Sequence, residues 1–182
     1  MRILLHVCCG PCTVYPLRRL REQGHRVSCF FYNPNIHPFQ EFRRRLDAVR
    51  QLAEAADCPM EIDERYGLTE YLRRVVFHEA ERCSRCYDLR LAAAAVRAAA
   101  GGFDAFSSTL LYSKYQNHRL LDTLGGQLAA ANGVGWYYED FRQGWQEGID
   151  ESIRLGLYRQ PYCGCIYSEQ ERYDKRLRNR KG

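Results

Sequence analysis

The sequence contains no long apolar run. Its hydrophobic stretches are short and interrupted by Arg or Glu, well below the ~20 residues of a membrane-spanning helix, so no transmembrane helix is expected. The opening residues, Met1-Arg2-Ile3-Leu4-Leu5-His6-Val7, lack the length and the small-residue cleavage site of a signal peptide, and a cytoplasmic location follows as the expectation. Neither a linker nor an internal repeat interrupts the chain, and 182 residues suit one domain over residues 1–182. Nor does one sign of charge dominate. Lys and Arg number 27 against 22 Asp and Glu, a net +5, which permits a nucleic-acid partner without demanding one. Much of that excess lies in Lys175-Arg176-Leu177-Arg178-Asn179-Arg180-Lys181, either a solvated tail or an RNA-contacting one.

What is present is material for a core, with 46% hydrophobic and 13% aromatic residues, which argues against disorder. Short β-like runs alternate with amphipathic stretches. Strands are expected over residues 3–7, 27–32, 60–62, 105–107 and 135–138. Helices are expected over 11–24, 41–56, 68–77, 86–100 and 117–132, followed by loop and a polar C-terminal helix. Pro11 suits a first helical turn, Gly24 a helix end, and Asn33-Pro34-Asn35-Ile36-His37-Pro38 a loop. The alternation points to an α/β fold, a three-layer sandwich with a mostly parallel sheet and a helical C-terminal part. Such folds bind ligands beyond the carboxyl ends of their strands, so the segments that follow each strand are the candidates for a site.

Nine cysteines in a reducing compartment are not a disulfide framework, and an odd count cannot pair completely within the chain. Seven of the nine form three groups: Cys8-Cys9-Gly10-Pro11-Cys12 after the first strand, Cys83-Ser84-Arg85-Cys86 opening a helix, and Cys163-Gly164-Cys165. The spacings let neighbouring thiols reach one metal, and helix N-termini favour the thiolate that metals need. Zinc takes four ligands in a closed site, and an iron–sulfur cubane also takes four cysteines. Seven exceed either, so the surplus suggests two metal centres, or one cluster beside a second metal or redox-active thiols. A zinc site that staples the fold is the plainer alternative. Cys29, among apolar strand residues, reads as a core side chain, and Cys58 stands alone before Pro59.

Five ordered motifs carry more. They are His6-Val7-Cys8-Cys9-Gly10-Pro11-Cys12, Tyr32-Asn33-Pro34-Asn35-Ile36-His37-Pro38, Glu81-Arg82-Cys83-Ser84-Arg85-Cys86-Tyr87, Ser108-Thr109-Leu110-Leu111-Tyr112-Ser113, and Tyr158-Arg159-Gln160-Pro161-Tyr162-Cys163-Gly164-Cys165-Ile166-Tyr167-Ser168. In this order they resemble the epoxyqueuosine reductase QueH family over nearly the whole chain. The resemblance implies a cobalamin-independent oxidoreductase that converts epoxyqueuosine to queuosine at the wobble position of tRNA. It implies a 4Fe-4S cluster with an additional iron or other metal ion nearby, tRNA carrying epoxyqueuosine as substrate, and a low-potential electron donor. Some members have Asp where this chain has Cys12. The resemblance also implies an ancestor among nucleotide-binding (HUP or PP-loop-like) sandwiches, which hold phosphate on a Gly/Ser-rich turn after the first strand. Here Pro11 lacks an N–H and the cysteines prefer metals, so no ATP dependence is expected.

Turning an epoxide into an alkene releases one oxygen as water and needs two electrons and two protons. A Lewis-acidic metal would stabilise the developing oxyanion, a cluster would deliver electrons, and a proton donor is required. The donor candidates are Tyr162, Tyr87, His37, His6 and Asp140, with Cys12 at the metal site; each also has a purely structural reading as a packing or capping residue. Substrate contacts are expected from Asn35, His37, Tyr112, Ser113, Tyr115, Gln116, His118, Arg119 and Arg159, with Tyr112 and Tyr115 as stacking faces for an extruded base. Arg43, Arg44 and Arg45 either meet phosphate or form a solvated helix face. Two other classes stay open, a zinc-binding RNA module without catalysis and an ATP-using tRNA thiolase.

Overall fold

In the computed structural model, which describes residues 1–178 (side chains through residue 176), the first apolar run forms β1, Arg2–Val7, buried at every position after Arg2. Burial on both faces is what a central parallel strand requires. Four further strands follow: β2 Arg26–Phe31, β3 Met60–Ile62, β4 Ala105–Ser108 and β5 Gly135–Trp136. They pair in parallel in the order β3-β2-β1-β4-β5. The core is built on Ile3, Leu5, Phe31, Phe106 and the helices laid over them.

The strand order dictates where the helices go. Right-handed crossovers put α1 (Gly10–Glu22) and α2 (Phe39–Ala55), which lead to β2 and β3, on one face. The chain then crosses over β1 to reach β4, so α3 (Leu68–Val75), α4 (Arg82–Ala100) and α5 (His118–Asn132) belong to the other. α4 packs on α3 and α5, and α1 on α2 and on α6 (Trp145–Arg154). The chain leaves β1 and β4 in opposite directions, and that reversal opens a crevice at their carboxyl ends, the usual ligand position in such sheets. The three-layer parallel sandwich expected from the sequence is the fold observed.

Several boundaries differ. α4 starts at Arg82 rather than at residue 86, after a 3-10 turn over Glu79–Glu81, which puts Cys83 as well as Cys86 on the helix. α3 stops at Val75, and Phe77 takes a left-handed φ of 66°. β5 has two residues; the Tyr137 N–H still bonds Phe106 O at 2.9 Å, but the ladder does not reach Tyr138. α6 occupies a stretch read as loop, because glycine and polar residues dilute its pattern. Gly148 within it has a packing reason: a Cβ there would lie 2.3 Å from the Tyr112 hydroxyl, which donates to Trp145 O at 2.7 Å. α7 (Ile166–Tyr173) and α8 (Lys175–Arg178) follow; of the basic run, residues 179–181 lie outside the described residues. No helix among the described residues is long and apolar enough to cross a membrane.

Candidate metal centre

The turn between β1 and α1 lies in the crevice between β1 and β4. Its backbone is fixed from three sides. The Cys8 N–H donates to Thr109 Oγ1 at 2.9 Å, Thr13 Oγ1 donates to Cys9 O at 2.7 Å, and Gly10 sits so tightly on α2 that a Cβ would be 2.8 Å from Ala48 O. The result is that the thiols of Cys8, Cys9 and Cys12 lie within 4.8 Å of one another, with the Cys8 and Cys9 sulfurs 3.8 Å apart. Gln160 Nε2 donates to Cys9 Sγ at 2.8 Å and faces Cys12 Sγ at 3.4 Å. Thiol donation from Cys12 and Cys9 holds Cys8 well below the ordinary thiol value; burial raises Cys9, and the hydrogen bond with Cys8 raises Cys12.

The other four cysteines form a wider group, no three of them within 4.8 Å of one another. Cys83 and Cys86 project from the first turns of α4. Cys165 caps α7, its sulfur accepting the Ser168 N–H at 3.4 Å. Cys86 and Cys165 share a small apolar cluster with Tyr71 and Val75. Burial pushes the Cys86 thiol up to about 12, with Cys163 and Cys165 adding to the effect, and burial likewise raises Cys83. The loop that presents Cys163 and Cys165 is anchored by Arg45 of α2, only 2% exposed, which donates to Cys163 O at 2.8 Å and Tyr162 O at 2.9 Å. Its Nε donates to Glu41 Oε1 at 2.7 Å, and Glu41 also accepts from the Tyr158 hydroxyl at 2.6 Å. Gly164 has a φ of 145°, and a Cβ there would lie 3.0 Å from Asn35 Nδ2 and 3.1 Å from Arg45 Nη1. That backbone conformation and that proximity both require glycine.

Arg90, one helical turn beyond Cys86, joins the two groups. It is 2% exposed, its Nη1 lies 3.8 Å from Cys86 Sγ, and its Nε has no hydrogen-bond partner. Burial works to lower its pKa, and the sulfurs of Cys86, Cys8 and Cys163 work to raise it, with a net rise. Its field reaches β1: burial, then Arg90, bring His6 down to about 3. His6 is thus neutral, with Nε2 donating to Tyr32 O at 3.2 Å and Nδ1 accepting from Ser108 Oγ at 2.8 Å.

Cys8 and Cys12 of the first group and Cys163 of the second line one cavity of about 580 Å³, while Cys9, Cys83, Cys86 and Cys165 lie behind its wall. Of the residues expected from the sequence, Cys8, Cys12, Cys163, Tyr112, Ser113, Tyr115, Gln116, Arg159 and Tyr162 line it. Gln116 Nε2 approaches Cys163 Sγ at 3.4 Å, while its Oε1 accepts from the Tyr87 hydroxyl at 2.7 Å. Tyr162 keeps its proton, since burial raises its pKa, and its hydroxyl donates to His37 O at 2.6 Å.

Other candidates are placed elsewhere. Asn35 is buried beneath the Gly164 loop. His37 is buried among the rings of Tyr66 and Tyr71, and burial lowers it to about 4, the nearby Pro34 carbonyl offsetting only part. Asp140 caps the 3-10 turn over Phe141–Gly144 and pairs with Arg142, which holds its carboxyl below the usual range, so it carries no proton near neutral pH. His118 lies beside Asp140, and Arg119 is exposed on α5 outside the lining. Of the three consecutive arginines only Arg43 and Arg44 are exposed; Arg45 anchors the cysteine loop instead of meeting solvent.

Sequence reasoning gave no role to Arg90, Gln160 or Trp145, and it read Arg45 as a phosphate contact or a solvated face rather than as an anchor. Two of them carried a signal, a helical spacing of four from Glu41 to Arg45 and from Cys86 to Arg90. Trp145 stacks on Tyr112 at 5.1 Å and meets Tyr115, 86% exposed, edge-on. Cys29 and Cys58, read as unconnected, lie with their sulfurs 3.3 Å apart in the core, away from the cavity lining.

The family model described as Epoxyqueuosine reductase QueH matches residues 3–171. The chain is 40% identical over 174 residues to the epoxyqueuosine reductase QueH of Dehalococcoides mccartyi, covering 96% of each. It is 34% identical over 186 residues to that of Thermotoga maritima, covering 95% of this chain and 93% of the other. Against the protein of that name from Acinetobacter baylyi the identity is 35% over 178 residues, covering 92% and 80%. Among solved structures, a protein described as "predicted subunit of tRNA methyltransferase" from Methanocaldococcus jannaschii superposes with a TM-score of 0.56 over 84% of this chain and 74% of that one. At 9% identity this likeness is one of fold.

Proposed function

Because the chain belongs to the epoxyqueuosine reductase QueH family, we propose that it reduces epoxyqueuosine in tRNA to queuosine, with two metal centres at one cavity. The observation that carries this is the division of seven cysteines into a tight three and a wide four, which meet at one cavity through Cys8, Cys12 and Cys163. The donor sets fit two different groups. Metal–sulfur bonds of ~2.3 Å in a tetrahedral site set sulfurs ~3.8 Å apart, which is the Cys8–Cys9 spacing, and three thiols leave a fourth position open, as catalytic sites do. Cys83, Cys86, Cys163 and Cys165 match in number the four cysteines of a 4Fe-4S cluster, and their wider spacing does not match a single ion. The four would hold that cluster, a source of single electrons, and Cys8, Cys9 and Cys12 an additional iron or other metal ion, a Lewis acid.

The chain's own residues do the rest. Gln160 holds the Cys9 and Cys12 sulfurs together from the cavity side. Tyr162 is the proton donor, being protonated and on the cavity wall; its hydroxyl turns from His37 O to the substrate. His6, neutral and pinned at both nitrogens, holds β1 to β4 under the site. At the mouth Tyr115 offers a face for the extruded base, and Arg159 and Arg172 face the tRNA backbone. Electrons come from a low-potential donor, and the reaction takes place in the cytoplasm without ATP.

The test is anaerobic, iron-loaded protein supplied with a low-potential reductant and epoxyqueuosine-containing tRNA, followed by mass spectrometry of the digested nucleosides. The modified nucleoside should lose one oxygen atom. If it stays unchanged while another tRNA base gains sulfur in the presence of ATP, the protein is a thiolase. If zinc is the only metal and no nucleoside changes, it is a binding module.

A further inference from the structure

We propose that Arg90 is a positioning residue for electrons: the fixed counter-ion that raises the reduction potential of the centre held by Cys83, Cys86, Cys163 and Cys165. The inference rests on the reading of those four cysteines as iron–sulfur ligands.

The starting point is a charge in the wrong place. Arg90 is 2% exposed, and a guanidinium does not shed its proton to escape burial. A buried charge persists only where something neutralises it. Among the described residues no carboxylate pairs with Arg90; its contact is the sulfur of Cys86 at 3.8 Å, one helical turn back on α4. Neutral thiols would be poor partners for such a charge. Thiolates bound to a metal are anionic at any pH at which the metal stays on, and they supply what the guanidinium lacks. The unpaired Nε of Arg90 is the same deficit seen from the other side: the side chain is built for more negative charge than the protein atoms alone provide.

Such an arrangement has a redox consequence. Adding an electron makes a thiolate-bound cluster more negative, and a positive charge at contact distance in a low-dielectric interior favours the added electron. Net charge and hydrogen bonds to the sulfurs are among the factors that set cluster potentials. Because Arg90 also lines the cavity shared with Cys8 and Cys163, its charge stands on the side where electrons leave for the substrate.

The experiment compares wild-type protein with Arg90→Gln and Arg90→Lys, each reconstituted anaerobically. Iron and acid-labile sulfide are counted, and the midpoint potential is read by redox titration followed by electron paramagnetic resonance. Arg90→Gln should move the midpoint to more negative potential by at least about 59 mV, a tenfold change in a one-electron equilibrium, while Arg90→Lys, which keeps the charge, stays within that span. A cluster lost in Arg90→Gln and kept in Arg90→Lys supports the inference equally, since both change the shape and only one removes the charge. A wild-type midpoint in Arg90→Gln overturns it, as does an equal shift or an equal loss of cluster in both variants. Wild-type protein without iron and acid-labile sulfide refutes the iron–sulfur reading itself, before any variant is compared, and this inference with it.

Discussion

The three-cysteine turn and the four-cysteine group meet at one cavity through Cys8, Cys12 and Cys163, but the chain builds them by opposite means. The turn is local. Cys8 to Cys12 run directly from the central strand into α1, with Thr109 holding the Cys8 N–H and Gly10 packed on Ala48. The wide group is assembled from a helix start and a distant loop with little regular structure of its own, held to α2 by Arg45 and Glu41. One site is inherited from the sheet and the other depends on a single buried ion pair. The turn should therefore survive damage to the wide group.

Removing ligands one group at a time should separate the two sites most strongly. Cys86→Ala or Cys163→Ala should abolish nucleoside conversion and strip iron and acid-labile sulfide together. Cys12→Ala should abolish conversion as well, yet leave the sulfide and most of the iron in place. Metal and sulfide analysis of the three variants decides the matter; equal losses in all of them would mean a single site rather than two.

A smaller effect is expected at the anchor. Arg45→Ala leaves Glu41 buried, at 5% exposure, without its cation. Removing one partner of a buried pair costs about 3–5 kcal/mol, which denaturant unfolding of the metal-free protein reads directly. The variant should also lose cluster sulfide while the metal at Cys8, Cys9 and Cys12 stays bound. A loss of stability below ~1 kcal/mol with an intact cluster would show that the loop holds itself.

The contrast also explains what the sequence could convey. β1 and the cysteine turn after it were legible because a buried apolar run and a helix-starting Pro11 are local signals. The parallel sheet was legible from alternation alone. The roles of Arg45 and Arg90 were signalled only by their spacing of four from Glu41 and Cys86, because an arginine among arginines, or one on an Ala-rich helix, does not by itself show that it is buried. His37 and Asp140 failed to reach the cavity for a related reason: a motif places residues near one another along the chain, and only packing decides which way they face. α6 escaped notice because Gly148 serves the Tyr112 hydroxyl rather than the helix.

The smallest expected effect concerns the remaining two cysteines, and it asks whether sulfur proximity alone makes a site. Cys29 lies on β2 and its N–H bonds Pro59 O at 2.8 Å, which brings Cys58 alongside with 3.3 Å between the sulfurs. That is closer than Cys8 and Cys9 approach each other. Yet this pair has no third thiol within 4.8 Å and no place on the cavity wall. Arg21, whose charge acts on both sulfurs, also donates to the carbonyls of Ala56 and Asp57 and adds no ligand. Two thiols with neither further ligands nor access are packing atoms. Cys29→Ala or Cys58→Ala should therefore cost about 1 kcal/mol, the scale of one buried group removed from a core, and leave iron, sulfide and nucleoside conversion at wild-type levels. Thermal unfolding and metal analysis on the same preparations check both halves; iron lost from either variant would mean that the pair belongs to the metal-holding machinery after all.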